Sequence, residues 1–162
     1  MTTKAILPFI GFGSIKFGME EHEVSSNIGD PDETEVQNYG DGGSATVLYY
    51  DDLGLSMSFD SEEGYRLVEI SFESDRFILH NAIKPGMSKE DFLEALEKLD
   101  MGEYEVEEID EDGLEDMEQY IFDKENINIW FEEGSLTTIQ IGPEFVDDDT
   151  IRWPKRTTED DE

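Results

Sequence analysis

A short motif occurs twice in this chain, and similar patterns follow both copies. Ile-Lys-Phe-Gly-Met at residues 15–19 returns as Ile-Lys-Pro-Gly-Met at residues 83–87, with four of the five positions identical at an offset of 68 (83 minus 15). Further on, residues 55–59 align with residues 127–131 at an offset of 72. Offsets that drift by a few residues are typical of repeated elements with insertions in their loops. The sequence therefore predicts one small module written twice.

Hydrophobic periodicity after each motif predicts one short helix followed by four strands. The first helix is expected over residues 20–28 and ends at Gly29. The second begins after Ser88 and carries an apolar stripe that we expect in the core, formed by Phe92, Leu93, Leu96 and Leu99. Period-two alternation places the strands at residues 34–39, 45–51, 54–60, 65–73, 103–109, 117–123, 126–132 and 135–142.

These elements predict a fold class and a domain organisation. Sequential strands with short connections pair as antiparallel hairpins, and a helix then covers the apolar face of each group. We therefore expect an α+β fold in which two tandem helix-plus-antiparallel-meander repeats join into one twisted sheet with the helices on one face. The expected divisions are an N-terminal segment (1–12), repeat 1 (13–80), repeat 2 (81–146) and an acidic, partly mobile C-terminal tail (147–162).

The charge of the chain restricts its partners. With 43 acidic and 11 basic residues, the formal net charge is -32, whereas apolar residues make up 36% and aromatic residues 11% of the sequence. Enough large apolar side chains are present to fill a core, so the acidity belongs to a folded surface. Such a surface repels nucleic acids and anionic membranes and attracts basic proteins. We expect a basic protein partner, no direct binding of nucleic acid and no membrane binding.

Cysteine usage and hydropathy indicate the compartment. The chain has no cysteine, which excludes disulfides and thiolate chemistry. The first ten residues contain one lysine and a short apolar run broken by Pro8, unlike a secretory signal. Since no stretch approaches the roughly 20 apolar residues of a membrane span, we expect a cytoplasmic protein.

The alternation of side chains within the strands suggests a binding face. In the strand at residues 126–132, Trp130 falls on the face opposite the apolar Ile127, Ile129 and Phe131. An aromatic ring among carboxylates on an open sheet has the composition of an interface anchor with an acidic rim. Two alternatives are that a terminal segment covers Trp130 or that a strand bulge reverses the alternation. The candidate partner-binding residues are Trp130, Tyr120, Glu105, Glu107, Glu132 and Asn128.

Catalytic and metal-binding patterns are weak. His22 and His80 form no spaced pair with other ligands, and the Gly-Phe-Gly run at residues 11–13 lacks the third glycine of a phosphate-binding loop. The best candidate for a calcium loop spans residues 108–119 but has Gln119 at the twelfth position, where a bidentate Glu is needed. We therefore expect no enzymatic activity, no cofactor and no specific metal site.

The order of these elements resembles a known architecture. A pair of modules, each with a motif like Ile-Lys-x-Gly-Met, a helical segment and an antiparallel meander, resembles the β-lactamase inhibitory protein over roughly residues 13–142. The resemblance implies that an open sheet face grips a partner protein. The chain also resembles bacterial immunity proteins, which neutralise a cognate toxin domain. It departs from the inhibitory protein in having no cysteine and far more acidic residues, which favours a basic target.

Three functional hypotheses follow from these observations. The first is a protein-binding inhibitor, an antitoxin or immunity protein that occludes a basic toxin or nuclease domain, acting as a monomer or a weak homodimer. The second is a DNA mimic, in which carboxylates at phosphate-like spacing occupy a nucleic-acid-binding protein. The third is an acidic structural or halophilic domain in which the charge serves hydration and solubility.

Overall fold

The computed structural model describes residues 4–38, 40, 42–109, 117–147 and 150–154. The helices of the described chain are α1 (Glu21–Ile28), α2 (Lys89–Lys98) and a 3-10 turn (Ser61–Glu63). Its strands are β1 (Lys4–Ile6), β2 (Gly11–Phe12), β3 (Ile15–Lys16), β4 (Glu33–Asn38), β5 (Ser44–Tyr50), β6 (Leu55–Asp60), β7 (Arg66–Phe72), β8 (Phe77–Leu79), β9 (Tyr104–Ile109), β10 (Met117–Phe122), β11 (Ile127–Glu132), β12 (Ser135–Ile141), β13 (Glu144–Phe145) and β14 (Ile151–Arg152).

One eight-stranded antiparallel sheet dominates the structure. Its strand order is β4-β5-β6-β7-β12-β11-β10-β9, so two four-stranded meanders join where β7 pairs with β12. At this junction Phe72 lies opposite Ile139, and Ile70 lies opposite Ile141. Each of the eight strands begins and ends within one residue of the segment that period-two alternation predicts. The predicted strand positions are therefore confirmed.

The core lies on one face of this sheet. In β6 and β11 every second side chain is buried, beginning at Leu55 and Ile127 respectively. The helices add Val24 from α1 and Phe92 from α2 to the same cluster of buried residues. Burial of a side chain of this size stabilises the fold by about 1.5–3 kcal/mol relative to an exposed one. The opposite face of the sheet carries mostly polar side chains on its central strands, with a few apolar ones such as Val47, Ile121 and Trp130.

The expected fold class, an α+β pair of helix-plus-meander repeats with the helices on one face, is wrong. The structure is mostly β, with 50% strand, 15% helix and two helices. The two α-helices have eight and ten residues, and each buries a single side chain completely, so they form no layer comparable to the sheet. Within the described chain neither helix is long and apolar enough to cross a bilayer.

Both copies of the Gly-Met motif hold a strand of the sheet by the same hydrogen bonds. The Gly18 N–H donates to the Leu67 carbonyl at 3.0 Å, and the Leu67 N–H donates to the Met19 carbonyl at 2.8 Å. The second copy makes the equivalent two bonds with Leu136 at 2.8 and 2.9 Å. Gly18 and Gly86 share φ 96, a left-handed conformation that favours glycine. The repeated motif is thus explained by a backbone clamp rather than by a binding site.

The terminal segments add short strands that the sequence pattern does not predict. β1 pairs in parallel with β8, and β13 pairs with β14, which brings part of the expected tail into a small sheet. Beyond β14, the Trp153 ring lies 5.7 Å from the Arg66 guanidinium. Residues 148–149 and 155–162 of the expected mobile tail lie outside the described residues.

Candidate protein interface

The side of the eight-stranded sheet opposite the core is called the open face below. Small polar side chains of the four central strands occupy its middle. The Gln140 amide donates to the Ser71 hydroxyl at 3.3 Å, and the Gln119 amide donates to the Asn128 side-chain oxygen at 3.1 Å. These bonds run between neighbouring strands and hold the amide side chains along the sheet. The centre of the open face is therefore polar.

The candidate residues of the second meander form two rows across three strands. In one row Trp130 of β11 lies opposite Gln119 of β10, which lies opposite Glu107 of β9. In the next row Asn128 lies opposite Ile121, and Glu105 follows on β9. Residues in register on adjacent strands point to the same face, so the structure brings Trp130, Asn128, Glu105 and Glu107 together. Glu132 lies on the same side at the end of β11.

A bulge next to Trp130 does not reverse its direction. The register of β11 and β12 shifts between Trp130 and Phe131. Trp130 lies opposite Thr138, and Phe131 lies opposite Leu136. The extra residue is therefore Thr137 of β12. The Thr137 hydroxyl donates to the Trp130 carbonyl at 3.2 Å. Phe131 stays in the core, and Trp130 is partly exposed on the open face.

Tyr120 lies on the other face, which corrects the expectation that it joins Trp130 in the binding surface. It stands in register with Ile129 and Val106, and 3% of its surface is exposed. Its ring packs edge-on against Phe92, with the ring centres 5.1 Å apart. Burial raises the pKa of the phenol above its usual value. Tyr120 therefore belongs to the core beneath α2 and is not available to a partner on the open face.

Sequence reasoning overlooked a second acidic margin at the far edge of the open face. Glu33 and Glu35 of β4 lie opposite Tyr49 and Val47 of β5. The Tyr49 hydroxyl donates to the Glu35 carboxylate at 3.3 Å, which joins a second partly exposed aromatic ring to a carboxylate. The alternation of Glu33, Glu35 and Gln37 along β4 is the signal that could have identified this margin.

Most carboxylates of the open face have no cation beside them. Glu69, Glu105, Glu107 and Glu132 make no ion pair with a lysine or arginine of the described residues. The lysine ion pairs lie elsewhere, at Lys89 with Glu118 and at Lys124 with Asp100. A polar centre with uncompensated negative charge on both margins creates a field that attracts cationic surfaces.

A groove crosses the open face beside Glu69, which is the carboxylate at the centre of the sheet. The groove has a volume of about 400 Å³ and is lined by Glu69, Asn128 and Gln140 on one side and by Phe145 and Ile151 on the other. Although part of the Glu69 side chain reaches solvent, the surrounding residues partly desolvate its carboxylate, and this raises its pKa. An uncompensated carboxylate in this position favours a cationic ligand or a proton.

Replacement of Glu69 by Gln is expected to stabilise the folded protein at neutral pH. Because the pKa of Glu69 is higher in the folded state than in the unfolded state, ionisation of this group destabilises the fold as pH rises through the folded pKa. The gain should be small, below about 0.5 kcal/mol for a partly exposed site, and should disappear below the ordinary Glu pKa. Thermal unfolding of the variant across pH 3–8 measures it, with Glu132→Gln on the same face as the charge-matched control. A gain that persists at pH 3 contradicts the assignment.

The candidate metal ligands of the sequence lie partly within the residues that the structure describes. Within them no group of three or more His, Cys, Asp and Glu side chains is placed to hold a metal ion. Residues 110–116 of the candidate calcium loop lie outside the described residues. His22 is exposed, with its imidazole 3.8 Å from the Glu20 carboxylate, and the His80 imidazole is hydrogen-bonded to Glu125 at 2.7 Å. Neither histidine lies on the open face.

Comparison with known proteins identifies no relative. No protein-family model, curated protein or solved structure matches this chain. The resemblance to the β-lactamase inhibitory protein and to immunity proteins therefore stays a prediction. Evidence for the function therefore comes from the geometry and charge of the open face.

Proposed function

We propose that this chain is an acidic protein-binding inhibitor, an immunity protein that neutralises a basic toxin or nuclease domain by covering it. The observation that carries the proposal is the patch on the open face where Trp130 and Asn128 lie beside the uncompensated carboxylates of Glu105 and Glu107. The proposed partner is a basic protein of the cytoplasm. The chain binds it as a monomer or a weak homodimer, without direct binding to nucleic acid or membrane.

The two kinds of side chain in this patch have different roles in binding. Charge complementarity steers the encounter and raises association rate constants towards 10⁸–10⁹ M⁻¹ s⁻¹ at low salt. Buried aromatic anchors mainly slow dissociation, and Trp is among the residues most enriched at interface hot spots. Trp130 is half-buried in the free protein, so its indole loses little conformational freedom when a partner covers it. In this proposal the carboxylates accelerate association with the partner, and Trp130 slows its dissociation.

The purified chain, used as bait in a lysate of its own organism at low salt, tests the proposal. The expected result is one basic protein retained at one-to-one stoichiometry and released by high salt or denaturant. Release of many nucleic-acid-binding proteins together at moderate salt would overturn the proposal and favour a DNA mimic. Failure to retain any protein, with stability that rises steeply in molar salt, would overturn it in favour of an acidic structural domain.

A triple variant tests the site with the captured partner. Trp130→Ala combined with Glu105→Lys and Glu107→Lys is expected to weaken binding at least 100-fold, since a Trp hot spot alone contributes about 2–4 kcal/mol. Glu94→Lys with Glu97→Lys makes the same charge change on the exposed side of α2 and is expected to alter the affinity less than tenfold. Unchanged binding by the triple variant would contradict the site assignment.

A further inference from the structure

β9 forms an edge of the eight-stranded sheet. Its six residues pair in continuous register with β10, without a bulge, and no described strand pairs with its outer side. The outward N–H and C=O groups of β9 therefore bond to no strand of the described residues and can accept another strand. Natural proteins blunt such edges with bulges, prolines or covering loops, because an open edge recruits extended segments. β9 has no bulge and no proline, although its three glutamates are charged side chains of the kind that also blunt an edge.

The side chains of β9 present different surfaces on its two sides. Glu105 and Glu107 point to the open face, whereas Tyr104 and Val106 lie on the core side, where they remain 43% and 44% exposed. On α2, Leu93 is also 37% exposed, which differs from the core position expected from the sequence. Aromatic and aliphatic side chains of this size are rarely left open in adjacent elements without a partner.

The direction of Leu93 follows from what the other side of α2 contacts. Asp91, Ala95 and Lys98 line a cleft against Ala82 and Met87, which precede α2 in the chain. Leu93 lies about 160° around the helix from Ala95, at 100° per residue, and so turns away from that cleft. Lys89 lies one turn before Leu93 on the same side of α2, and its ammonium donates to the Glu118 carboxylate of β10, the strand next to β9. Leu93 is therefore on the margin of α2 towards the β9 end of the sheet.

We call Leu93, Tyr104 and Val106 the apolar shelf. Phe92 connects its parts, because its ring packs 5.1 Å from the Tyr120 ring, and Tyr120 in turn packs 5.6 Å from the Tyr104 ring. A strand added to β9 would place alternate side chains over this shelf and the others beside Glu105 and Glu107. Such an arrangement, an edge strand beside a helix, is a recurring site for the addition of a peptide strand.

The opposite edge of the sheet lacks this combination. On the core side, β4 carries Thr34, Val36 and Asn38, so polar side chains flank the single exposed valine. Val36 occupies an edge position like that of Val106, and it is 58% exposed. β9 therefore differs from β4 in having neighbouring exposed apolar side chains, and Val36 of β4 is a matched control for Val106 of β9.

A second copy of this chain does not fit the β9 edge. Two β9 strands paired side by side would bring the carboxylates of Glu105, Glu107 and Glu108 of one copy close to those of the other. Like charges on paired strands are destabilising, and no lysine or arginine occurs in β9 to offset them. The occupant must carry positive charge on the side of the open face.

We propose that β9 binds an extended segment of a basic partner protein by strand addition, with apolar side chains on the apolar shelf and alternating Lys or Arg side chains beside Glu105 and Glu107. This deepens the proposed function and depends on it for the identity of the partner as a basic protein. Main-chain hydrogen bonds to β9 contribute affinity, while the alternation of apolar and basic side chains contributes specificity.

An alternating peptide, acetyl-(Val-Lys)₄-amide, tests this proposal directly. Its binding to the full chain is measured by calorimetry, and hydrogen exchange of the amides at residues 104–109 is followed by NMR. We expect protection of alternate β9 amides, and at least a tenfold loss of affinity for an analogue that is N-methylated at every residue. The analogue keeps the charges and side chains but lacks the backbone N–H donors that pair with a neighbouring strand. Equal affinity of the two peptides, or protection at β4 instead, would overturn the proposal.

Protein variants separate the strand site from the rest of the open face. Val106→Ser is expected to weaken peptide binding at least threefold, whereas Val36→Ser on β4 leaves it unchanged; equal effects would overturn the proposal. Ser56→Ala on β6, in the middle of the open face, is expected to leave peptide binding unchanged, because β6 lies five strands away from β9 in the sheet. If the lysate yields no basic partner while the peptide still protects β9, the proposed function fails and the strand site stands. If a partner is retained but protects no β9 amide, the strand site fails alone.

Discussion

Replacement of Phe92 by alanine is expected to lower the free energy of unfolding by about 3–5 kcal/mol, the range for a buried Phe. Phe92 is fully buried, and its ring packs against those of Tyr120, Phe122 and Phe131 at centre distances of 5.1, 6.4 and 4.9 Å. Alanine would leave a cavity between α2 and the sheet, because rigid strands on the far side cannot collapse into it. Since small domains are stable by about 5–15 kcal/mol, this single change removes a large part of the total.

Urea unfolding followed by circular dichroism measures this loss for Phe92→Ala. Leu93→Ala is the matched control, because it shortens the next residue of the same helix at a site that is 37% exposed, and it should cost less than about 1.5 kcal/mol. Leu93→Ala should nevertheless weaken binding of the alternating peptide if the apolar shelf is a docking site. A loss below about 1 kcal/mol for Phe92→Ala would contradict the packing of α2 on the sheet.

The positions of the eight long strands could be predicted because each one alternates clearly. In β11 the apolar Ile127, Ile129 and Phe131 leave Trp130 with one possible direction, and the structure places it there. In β9 the acidic residues at 105 and 107 likewise take the opposite side from Tyr104 and Val106. A period of two specifies the face of each residue wherever one face is buried. The face on which most of the candidate residues lie could therefore be predicted from the sequence.

Tyr120 could not be assigned because β10 does not alternate around it. Tyr120, Ile121 and Phe122 are consecutive apolar residues, so either parity gives an acceptable strand. Its partners Ile129 and Val106, on the strands to either side, decide which of the three point inwards. Pairing between strands is a long-range property, and no pattern within a single strand reports it.

The fold class failed for a related reason. The sequence pattern predicts two helices of eight to ten residues as clearly as it predicts strands. It does not show how much of the core each helix contributes, and each buries only one side chain completely. The two- and three-residue strands, such as β1 and β8, are too short for any period to show, and the parallel pairing of Lys4 with Phe77 joins distant parts of the chain. The eight long strands alone contain far more residues than the two helices, and the short strands add to them, so the structure is mostly β.

The association rate constant with the captured basic partner is expected to fall by about 10- to 1,000-fold between 10 mM and 1 M NaCl. The Debye length shortens from about 30 Å to about 3 Å over this range, so the open face stops attracting its partner at a distance. The net charge of -32 makes the effect large, and the uncompensated Glu105 and Glu107 concentrate it beside Trp130. Stopped-flow tryptophan fluorescence or surface plasmon resonance measures the rate.

Charge reversal at two pairs of sites determines whether this steering comes from the open face or from the whole molecule. Glu105→Lys with Glu107→Lys and Glu94→Lys with Glu97→Lys change the net charge equally, but the second pair lies on the exposed side of α2. If the open face is the docking surface, the first pair lowers the association rate at 10 mM NaCl much more than the second, and the two converge at 1 M. Equal effects at every salt concentration would mean that the acidity acts only through the net charge of the molecule, and the face assigned to the partner would have no electrostatic basis.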